Sequence, residues 1–166
     1  MSIAPIEIIP FESQYAGDFK RLNLEWLEKY FEVEPADAEV LSQPHLIIEQ
    51  GGALLLAKCG DEIIGTCAVL HEGDGHFEIS KTSVTASFQG HGIGRRLLYA
   101  ALDAFKDLGG KELHLETNSV LTSAIALYES SGFVHAQRRI PSPYARANVY
   151  MEYRPSAKGT GAKNLP

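Results

Sequence analysis

The stretch QGHGIGRRLL, Gln89–Leu98, holds three glycines within six residues and then continues as an apolar pattern that predicts a helix. The first turn of a helix leaves backbone N–H groups without partners in the helix, and the helix dipole makes that end partly positive. Glycines let the backbone curl so that these N–H groups converge. The segment Phe77–Val84 before the loop reads as a strand. A strand, a glycine loop and a helix in this order predict a phosphate-binding site.

The glycine spacing differs from that of two familiar phosphate loops. A dinucleotide fingerprint requires G-x-G-x-x-G, whereas Gly90, Gly92 and Gly94 are spaced G-x-G-x-G. A Walker loop requires Gly-Lys followed by Ser or Thr, and no such triplet follows. The spacing that fits is Q-x-x-G-x-G, read from Gln89. A glycine-rich turn that binds no ligand is the alternative interpretation.

Length and composition favour one globular domain. The chain has 166 residues and is 45% hydrophobic, which is enough for a sizeable core. We expect a single domain over residues 1–154 and a disordered tail over residues 155–166, because the tail lacks an apolar face. The formal net charge of −6 argues against nucleic-acid binding. It favours a cationic substrate only weakly, since a solvated acidic face has the same effect.

The cysteines and the apolar runs predict where the protein works. No N-terminal secretory signal and no membrane-spanning run is recognisable, so we expect no membrane partner. Cys59 and Cys67 flank a predicted hairpin turn at Gly60-Asp61, in which Cys59 would pair near Glu62. A disulfide is therefore not expected, and a reducing cytoplasm fits. The histidines show no ligand spacing, and no metal site is predicted.

Hydrophobic periodicity predicts an α/β protein with a mixed, mostly antiparallel sheet and helices on both faces. The hairpins in the first half imply antiparallel strands, and the strand–helix alternation over residues 77–131 implies a parallel pair. The predicted strands cover residues 6–9, 46–48, 53–59, 62–70, 77–84, 112–116, 133–139 and 147–153. The predicted helices cover residues 11–31, 36–43, 93–108 and 122–131.

A second motif, AIALYESSGF at Ala124–Phe133, follows the glycine loop at a suitable distance. Its pattern A-x-x-L-Y-x-x-x-G-F, the Q-x-x-G-x-G loop and Asn118 together resemble the GCN5-related N-acetyltransferase (GNAT) superfamily. The resemblance covers residues 3–154. It implies a sheet with a splayed parallel strand pair and acetyl-CoA as the acyl donor, without a metal.

The activity that the resemblance implies is transfer of an acetyl group to a primary amine by direct attack on the thioester. A small molecule or amino acid is the favoured acceptor. The alternatives are a non-catalytic acyl-CoA-binding regulatory domain and a protein or peptide N-acetyltransferase. Family members often dimerise, so a homodimer is a candidate assembly.

The resemblance assigns cofactor contacts to three segments. Backbone N–H groups of the loop would hold the pyrophosphate, and Arg95 or Arg96 would add positive charge, although both could be solvated surface residues. The pantetheine arm would run between strands 77–84 and 112–117 and bind backbone groups of Ser83 and Val84. Asn118 could bond to the same arm, or it could simply cap the strand end. The loop residues so assigned are Gln89, Gly90, His91, Gly92, Ile93, Gly94 and Arg95.

Tyr128 is the candidate catalytic acid. Attack of an amine on a thioester expels a thiolate, and a phenol with a reference pKa near 10 can donate a proton to it. The resemblance implies a place for Tyr128 beside the cofactor sulfur. Packing on an amphipathic helix is the alternative role for this ring.

Glu78 is the candidate base that would take a proton from the ammonium group. Its spacing to Gln89 matches, without a gap, the glutamate of the family's histone-type members. A water relay is an alternative, as is Glu116, and Glu78 could be an exposed strand residue. By alternation, Lys81 would share a face with Ile79 and Ser83, as a substrate contact or an ion-pair partner.

The loop Pro141–Arg146 is the candidate acceptor-binding segment. In the family, the loop between the last two strands lies at the acceptor end. Tyr144 and Arg146 could bind a substrate carboxylate with a stacked ring and a planar fork of donors. An ordinary surface loop is the alternative.

Overall fold

The structure, a computed structural model, describes residues 4–155. The chain divides into two compact units, one that ends at Lys111 and one that begins at Glu112. The predicted tail from residue 156 onwards lies outside the described residues. None of the helices within residues 4–155 is long and apolar enough to cross a membrane.

The first unit is an antiparallel sheet with helices on both faces. Its strands pair in chain order, from β1 to β4. Its elements are β1 (Ile6–Pro10), α1 (Ala16–Tyr30), α2 (Pro35–Ser42), α3 (His45–Glu49), β2 (Ala53–Cys59), β3 (Glu62–Gly73), β4 (His76–Val84) and α4 (Ile93–Asp107).

The second unit combines a helix with a three-stranded antiparallel sheet. The last strand lies in the middle and pairs with both others. Its elements are β5 (Glu112–Thr117), α5 (Thr122–Ser130), β6 (Phe133–His135) and β7 (Val149–Tyr153).

Two apolar layers cover the sheet of the first unit. On one face, Phe19 and Leu27 of α1 form a buried cluster with Leu54 and Ala68. On the other face, α4 lies against the sheet, and the ring of Phe105 meets Phe77 edge-on at 5.8 Å. Since each layer removes large apolar side chains from water, hydrophobic burial fixes β4 between α1 and α4.

The hairpin of β2 and β3 confirms the predicted place of the cysteines. Cys59 is opposite Glu62, and Cys67 is opposite Leu55 on the same pair of strands. Both cysteines are free thiols. A disulfide between them is excluded by this register.

The predicted strand at Leu46–Ile48 is wrong, because these residues belong to helix α3. The N–H of Ile47 donates to Pro44 O at 3.1 Å, and that of Gln50 donates to Leu46 O at 2.9 Å. Ile47 enters the apolar cluster under α1, whereas Ile48 is 44% exposed. Packing of one isoleucine therefore outweighs the strand propensity of a short β-branched run.

Two other predicted elements are markedly shorter in the structure, whereas the remaining boundaries differ by a few residues at most. The first helix begins at Ala16 instead of residue 11, because Phe11 N–H still pairs with Leu54 O and a 3-10 turn follows. The strand predicted over 133–139 ends at His135. Beyond it, Arg138 forms an ion pair with Glu116 at 3.0 Å, which takes the chain away from the sheet register.

We expect Gly52→Ala to lower the free energy of unfolding by about 2–3 kcal/mol. A Cβ at this buried glycine would lie 2.2 Å from Val69 O and 2.9 Å from Ile47 O, so backbone must move. Gly17→Ala is the matched control, since a Cβ there meets nothing within 4 Å and the site is exposed on α1. Urea unfolding of both variants tests this, and equal effects would contradict it.

Candidate active site

The glycine loop joins the end of β4 to the start of α4. Gly92 is the N-cap of α4 with φ of 77°, and Gly90 has φ of 83°. These left-handed conformations strain any residue with a Cβ. A Cβ at either position would meet no protein atom within 4 Å. The backbone conformation therefore requires glycine here, and the space beside the loop is open to a ligand.

Several N–H groups of this loop take no part in the backbone hydrogen bonds within helix α4. The first helical bond runs from Arg96 N–H to Gly92 O at 3.1 Å, so Ile93, Gly94 and Arg95 donate none within the helix. The N–H of Gln89 differs, because it donates to Ala86 O at 3.3 Å. The N–H groups that can serve an anion here are therefore those of Ile93, Gly94 and Arg95.

The side chain of Gln89 explains why the loop pattern begins with glutamine. Its Nε2 donates to Val84 O at 3.0 Å and so ties the loop to the last residue of β4. Of the two arginines, Arg96 donates to Ile6 O at 2.9 Å and fastens β1. Arg95 donates to Tyr99 Oη at 3.0 Å along the exposed side of α4. Arg95 is thus the arginine that remains suited to an anion.

The other loop residues have separate structural roles. Ile93 is 1% exposed, so its side chain anchors the first turn of α4 in the core. His91 is exposed at the tip of the loop. Both residues can offer backbone N–H groups to a phosphate while their side chains point elsewhere or into solvent.

A bulge interrupts β4 just before the loop. Ser83 is opposite Thr66 and Ser80 is opposite Ala68, so both Lys81 and Thr82 face the single residue Cys67. Lys81 has φ of 53°, which is rare for a residue other than glycine. The extra residue reverses the alternation of side chains along the rest of the strand.

The predicted shared face of Ile79, Lys81 and Ser83 is therefore wrong. Ile79 lies on the α4 face, because it alternates regularly from Phe77, which meets Phe105. Ser83 lies on the opposite face and donates to Leu22 O of α1 at 3.2 Å. Ser83 as a residue is only 4% exposed, and its hydroxyl is already engaged by α1.

Of the two roles predicted for Lys81, substrate contact or ion-pair partner, the structure shows the ion pair. Its Nζ lies 2.9 Å from Asp37 Oδ1 of α2, with side chains 5% and 0% exposed. The carbonyl of Lys81 accepts from Thr66 Oγ1 at 2.8 Å. Both ends of this residue are thus held on the side of the sheet that α1 and α2 cover.

Glu78 lies on the same face of β4, before the bulge. It is half-buried and opposite Leu70 in the register with β3. Alternation places it with Ser80, which is opposite Ala68 of the α1 cluster. Its carboxylate lies within 4.8 Å of that of Glu72 on the neighbouring strand β3.

The thiol of Cys67 is not suited to nucleophilic attack. Burial raises the pKa of Cys67 to about 11, and a hydrogen bond from the Thr82 hydroxyl lowers it in part. A thiol with so high a pKa is almost entirely protonated at neutral pH. Cys67 is therefore a poor nucleophile.

Tyr128 belongs to the second unit and is held by aromatic packing. It is 8% exposed, and its ring meets the edge of Phe133 at 5.9 Å. Phe133 also packs on Tyr153 at 5.2 Å. Gly132, with φ of 103°, turns the chain from α5 into β6 and brings Phe133 under the helix. The motif residues therefore fix the orientation of the Tyr128 ring.

Asn118 caps the end of β5. Its Nδ2 donates to Arg146 O at 2.7 Å, and its Oδ1 accepts from Val120 N–H at 2.9 Å. This is the alternative role foreseen for the residue, and it also brings the loop that carries Arg146 to the end of β5. Contact with a cofactor stays a prediction.

Glu116 holds the loop between β6 and β7. Ser142 Oγ donates to Glu116 Oε1 at 2.7 Å, and Arg138 Nη2 lies 3.0 Å from Oε2. The carboxylate is 11% exposed. With both oxygens engaged, Glu116 is a poor candidate for the base. Sequence reasoning missed Arg138, because no local pattern links it to a carboxylate on another strand.

Tyr144 and Arg146 are brought together, as the prediction requires. The guanidinium of Arg146 lies 4.4 Å from the ring centroid of Tyr144. The N–H of Tyr144 donates to Ser142 Oγ at 3.0 Å, so the pair is tied to Glu116 through one serine. A stacked arginine loses less conformational freedom on binding a carboxylate than a mobile one.

Comparison with known proteins identifies a family match. The model of the acetyltransferase (GNAT) family matches residues 19–133. The uncharacterized N-acetyltransferase YjgM of Escherichia coli is 36% identical over 58 residues, which is 35% of each chain. N-alpha-acetyltransferase 30 of Schizosaccharomyces pombe is 27% identical over 139 residues, 80% of this chain and 87% of that protein. For the first two curated relatives, the match spans only 35% and 45% of their length.

Solved structures share the fold. A GNAT-family acetyltransferase from Staphylococcus aureus superposes with a TM-score of 0.82 at 20% identity, over 89% of this chain and 98% of that one. The putative acetyltransferase yncA from Salmonella typhimurium, solved with acetyl-CoA, gives 0.73 at 17% identity, over 92% and 95%. These matches confirm the predicted mixed α/β fold class.

We expect Gly92→Ala to weaken acetyl-CoA binding by about tenfold or more, because the new Cβ enters the space beside the N–H donors. Gly109→Ala is the matched control, since Gly109 has φ of 75° and is equally open within 4 Å. Both variants should lose about 1–2 kcal/mol of stability from backbone strain. Calorimetric titration and urea unfolding check this, and equal affinities would argue against the phosphate site.

Proposed function

Because this chain belongs to the acetyltransferase (GNAT) family, we propose that it transfers an acetyl group from acetyl-CoA to a primary amine. The observation that carries this proposal is the glycine loop at the start of α4. Its left-handed glycines are open to a ligand, and the N–H groups of Ile93, Gly94 and Arg95 lie outside the helix ladder. A helix N-terminus of this kind suits a pyrophosphate.

The cofactor would be held by charge at one end and by backbone at the other. The N–H groups that follow Gln89 would bind the pyrophosphate, and Arg95 would add a charge-assisted contact. The Ser83–Val84 backbone would pair with the pantetheine amides in the manner of an added strand. Asn118 would support the same arm from the end of β5.

The chemical step would be a direct transfer that needs no metal. Glu78 would take a proton from the substrate ammonium, and the neutral amine would attack the thioester carbon. The new C–N bond forms as the C–S bond breaks, and backbone N–H groups stabilise the developing oxyanion. Tyr128 would give a proton to the departing thiolate, and the second proton lost by the newly acylated nitrogen would return to Tyr128 through solvent. Acetylated amine and free CoA would leave.

The acceptor that fits best is a small amine that also carries a carboxylate, such as an amino acid. Support comes from the stacked pair of Tyr144 and Arg146, which offers a planar fork of donors on a loop tied to Glu116. The free thiols Cys59 and Cys67 suit a reducing cytoplasm. A single catalytic domain over residues 1–154 and a homodimer stay predictions, and sedimentation analysis tests the latter.

A protein or peptide N-acetyltransferase is the second candidate. It is favoured by one observation, the match that covers 87% of the Schizosaccharomyces pombe relative named N-alpha-acetyltransferase 30. A peptide acceptor would present an N-terminal amine and an extended backbone. The loop with Tyr144 and Arg146 would then contact the peptide instead of a free carboxylate.

The test combines binding with turnover. Calorimetric titration with acetyl-CoA should show binding, and free thiol should then appear only when an accepted amine is added. The panel should hold amino acids, polyamines and short peptides with free N-termini. Binding without release from any amine would favour the regulatory, non-catalytic alternative, and absence of binding would contradict the proposal.

We expect Tyr128→Phe to lower kcat by about a hundredfold with little change in acetyl-CoA affinity, because only the proton donor is lost. The phenylalanine ring keeps the packing on Phe133. Tyr153→Phe is the control, since this ring packs on the same phenylalanine. Steady-state kinetics by thiol release measures both, and a similar kcat for the two variants would remove Tyr128 from the mechanism.

We expect Glu78→Gln to lower kcat/KM by about a hundredfold at pH 7 and to flatten the acidic limb of the pH–rate profile. Raising the pH should recover part of the rate, because more of the amine is already neutral. Glu116→Gln should instead lower stability, since Arg138 loses its ionic partner, and should leave the shape of the profile intact. The reverse pattern would make Glu116 the base.

A further inference from the structure

The ion pair between Asp37 and Lys81 is buried, although most ionic side chains stay in water. Asp37 is completely covered, Lys81 is 5% exposed, and their atoms lie 2.9 Å apart. Removing two charges from water costs more than their attraction returns unless further hydrogen bonds complete the arrangement. A pair of this kind therefore adds less stability than its short distance suggests, although removal of one partner alone is costly because it leaves the other charge buried.

Asp37 is also part of the start of α2. Its Oδ2 accepts from Glu34 N–H at 2.9 Å, while the Glu34 side chain accepts from the N–H of Asp37 in a reciprocal capping box. The Asp37 carboxylate thus caps the N-terminus of α2 and also binds the Lys81 ammonium of β4. Any movement of α2 at this end must move the Lys81 ammonium with it.

Lys81 is the residue at which β4 bulges. Its φ of 53° is sparsely populated and persists only where the surroundings hold it. The side chain is held by Asp37 and the carbonyl by Thr66 Oγ1 at 2.8 Å. Asn23 of α1 in turn donates to Thr66 Oγ1 at 3.2 Å. The bulge is therefore fastened to both α1 and α2.

The bulge separates the two parts of β4 that the proposed reaction uses. Glu78 precedes it, and Ser83 and Val84 follow it on the strand. Without the extra residue, the side chains after it would exchange faces, and Ser83 would lose its bond to Leu22 O. The same change would reverse the directions in which the last backbone groups of β4 point.

We propose that the Asp37–Lys81 pair is a positioning device that couples α2, over the face of β4 that carries Glu78, to the backbone that binds pantetheine. This inference rests on the proposed acetyl transfer. The pair acts through the bulge, and neither side chain takes part in the chemistry. Loss of the ammonium leaves the Asp37 carboxylate buried and unbalanced, and frees the strand to return to regular alternation.

The experiment compares Lys81→Met with Leu41→Ala. Leu41 lies on α2 and is 1% exposed in the apolar cluster, so its truncation loosens the same helix without touching the ion pair. Melting temperature reports stability, and calorimetric titration with acetyl-CoA, well below each melting temperature, reports affinity. We expect Lys81→Met to raise the Kd by about tenfold, and Leu41→Ala to leave it within about twofold.

Further variants keep the test valid if Lys81→Met does not fold. Asp37→Asn combined with Lys81→Met leaves no buried charge and should still bind acetyl-CoA about tenfold more weakly. Thr66→Val keeps both charges and removes the hydroxyl that donates to the Lys81 carbonyl and accepts from Asn23, so it should weaken binding in the same direction. Lys81→Arg, which keeps the charge, should restore most of the affinity.

Two results would overturn the proposal in different ways. If Lys81→Met lowers the melting temperature as Leu41→Ala does but binds acetyl-CoA like the unaltered protein, the pair is structural only and the proposed function stands. If the unaltered protein binds no acetyl-CoA, the proposed function fails, and the coupling role fails with it.

Discussion

The extra residue in β4 is the constraint on which the arrangement of the first unit depends. Before it, Phe77 packs on α4, and after it, Ser83 bonds to α1. The carbonyl of Val84, the last residue of the strand, accepts a hydrogen bond from the side-chain amide of Gln89. This bond fixes the position at which the glycine loop begins. Because α4 starts from that loop, the position of its N-terminus depends on a bulge twelve residues earlier in the chain, at Lys81.

Local sequence is enough to predict the loop and its helix. Gly90 and Gly92 are needed for positive φ values that lie within a few residues of the helix start, and the apolar face of α4 repeats at helical spacing. Both requirements belong to one short segment. The same is true of Gly132 and Phe133, which turn the chain after α5. This is why the two motifs identified the fold class correctly.

The features that sequence reasoning missed depend on partners far along the chain. Alternation cannot show an inserted residue, and the bulge at Lys81 is held by Asp37, which lies 44 positions earlier. The helix at His45–Glu49 exists because Ile47 packs under α1. Arg138 lies beyond the end of β6 and forms an ion pair with Glu116 of β5, which is 22 positions earlier in the chain. In each case, tertiary contact overrides a local preference that favours a regular strand.

Glu78 and Glu116, the two candidate bases, show that residues of one type take different roles in different surroundings. Glu116 is surrounded by donors, Arg138 and Ser142, so its negative charge is balanced and its oxygens are occupied. It therefore serves to hold a loop that carries three arginines and no acidic residue between positions 136 and 148. Against a chain of net charge −6, this loop is a local concentration of positive charge. Under the proposed acetyl transfer, an acceptor with both an amine and a carboxylate would suit that contrast better than a polyamine, because its anionic end would be drawn to the loop.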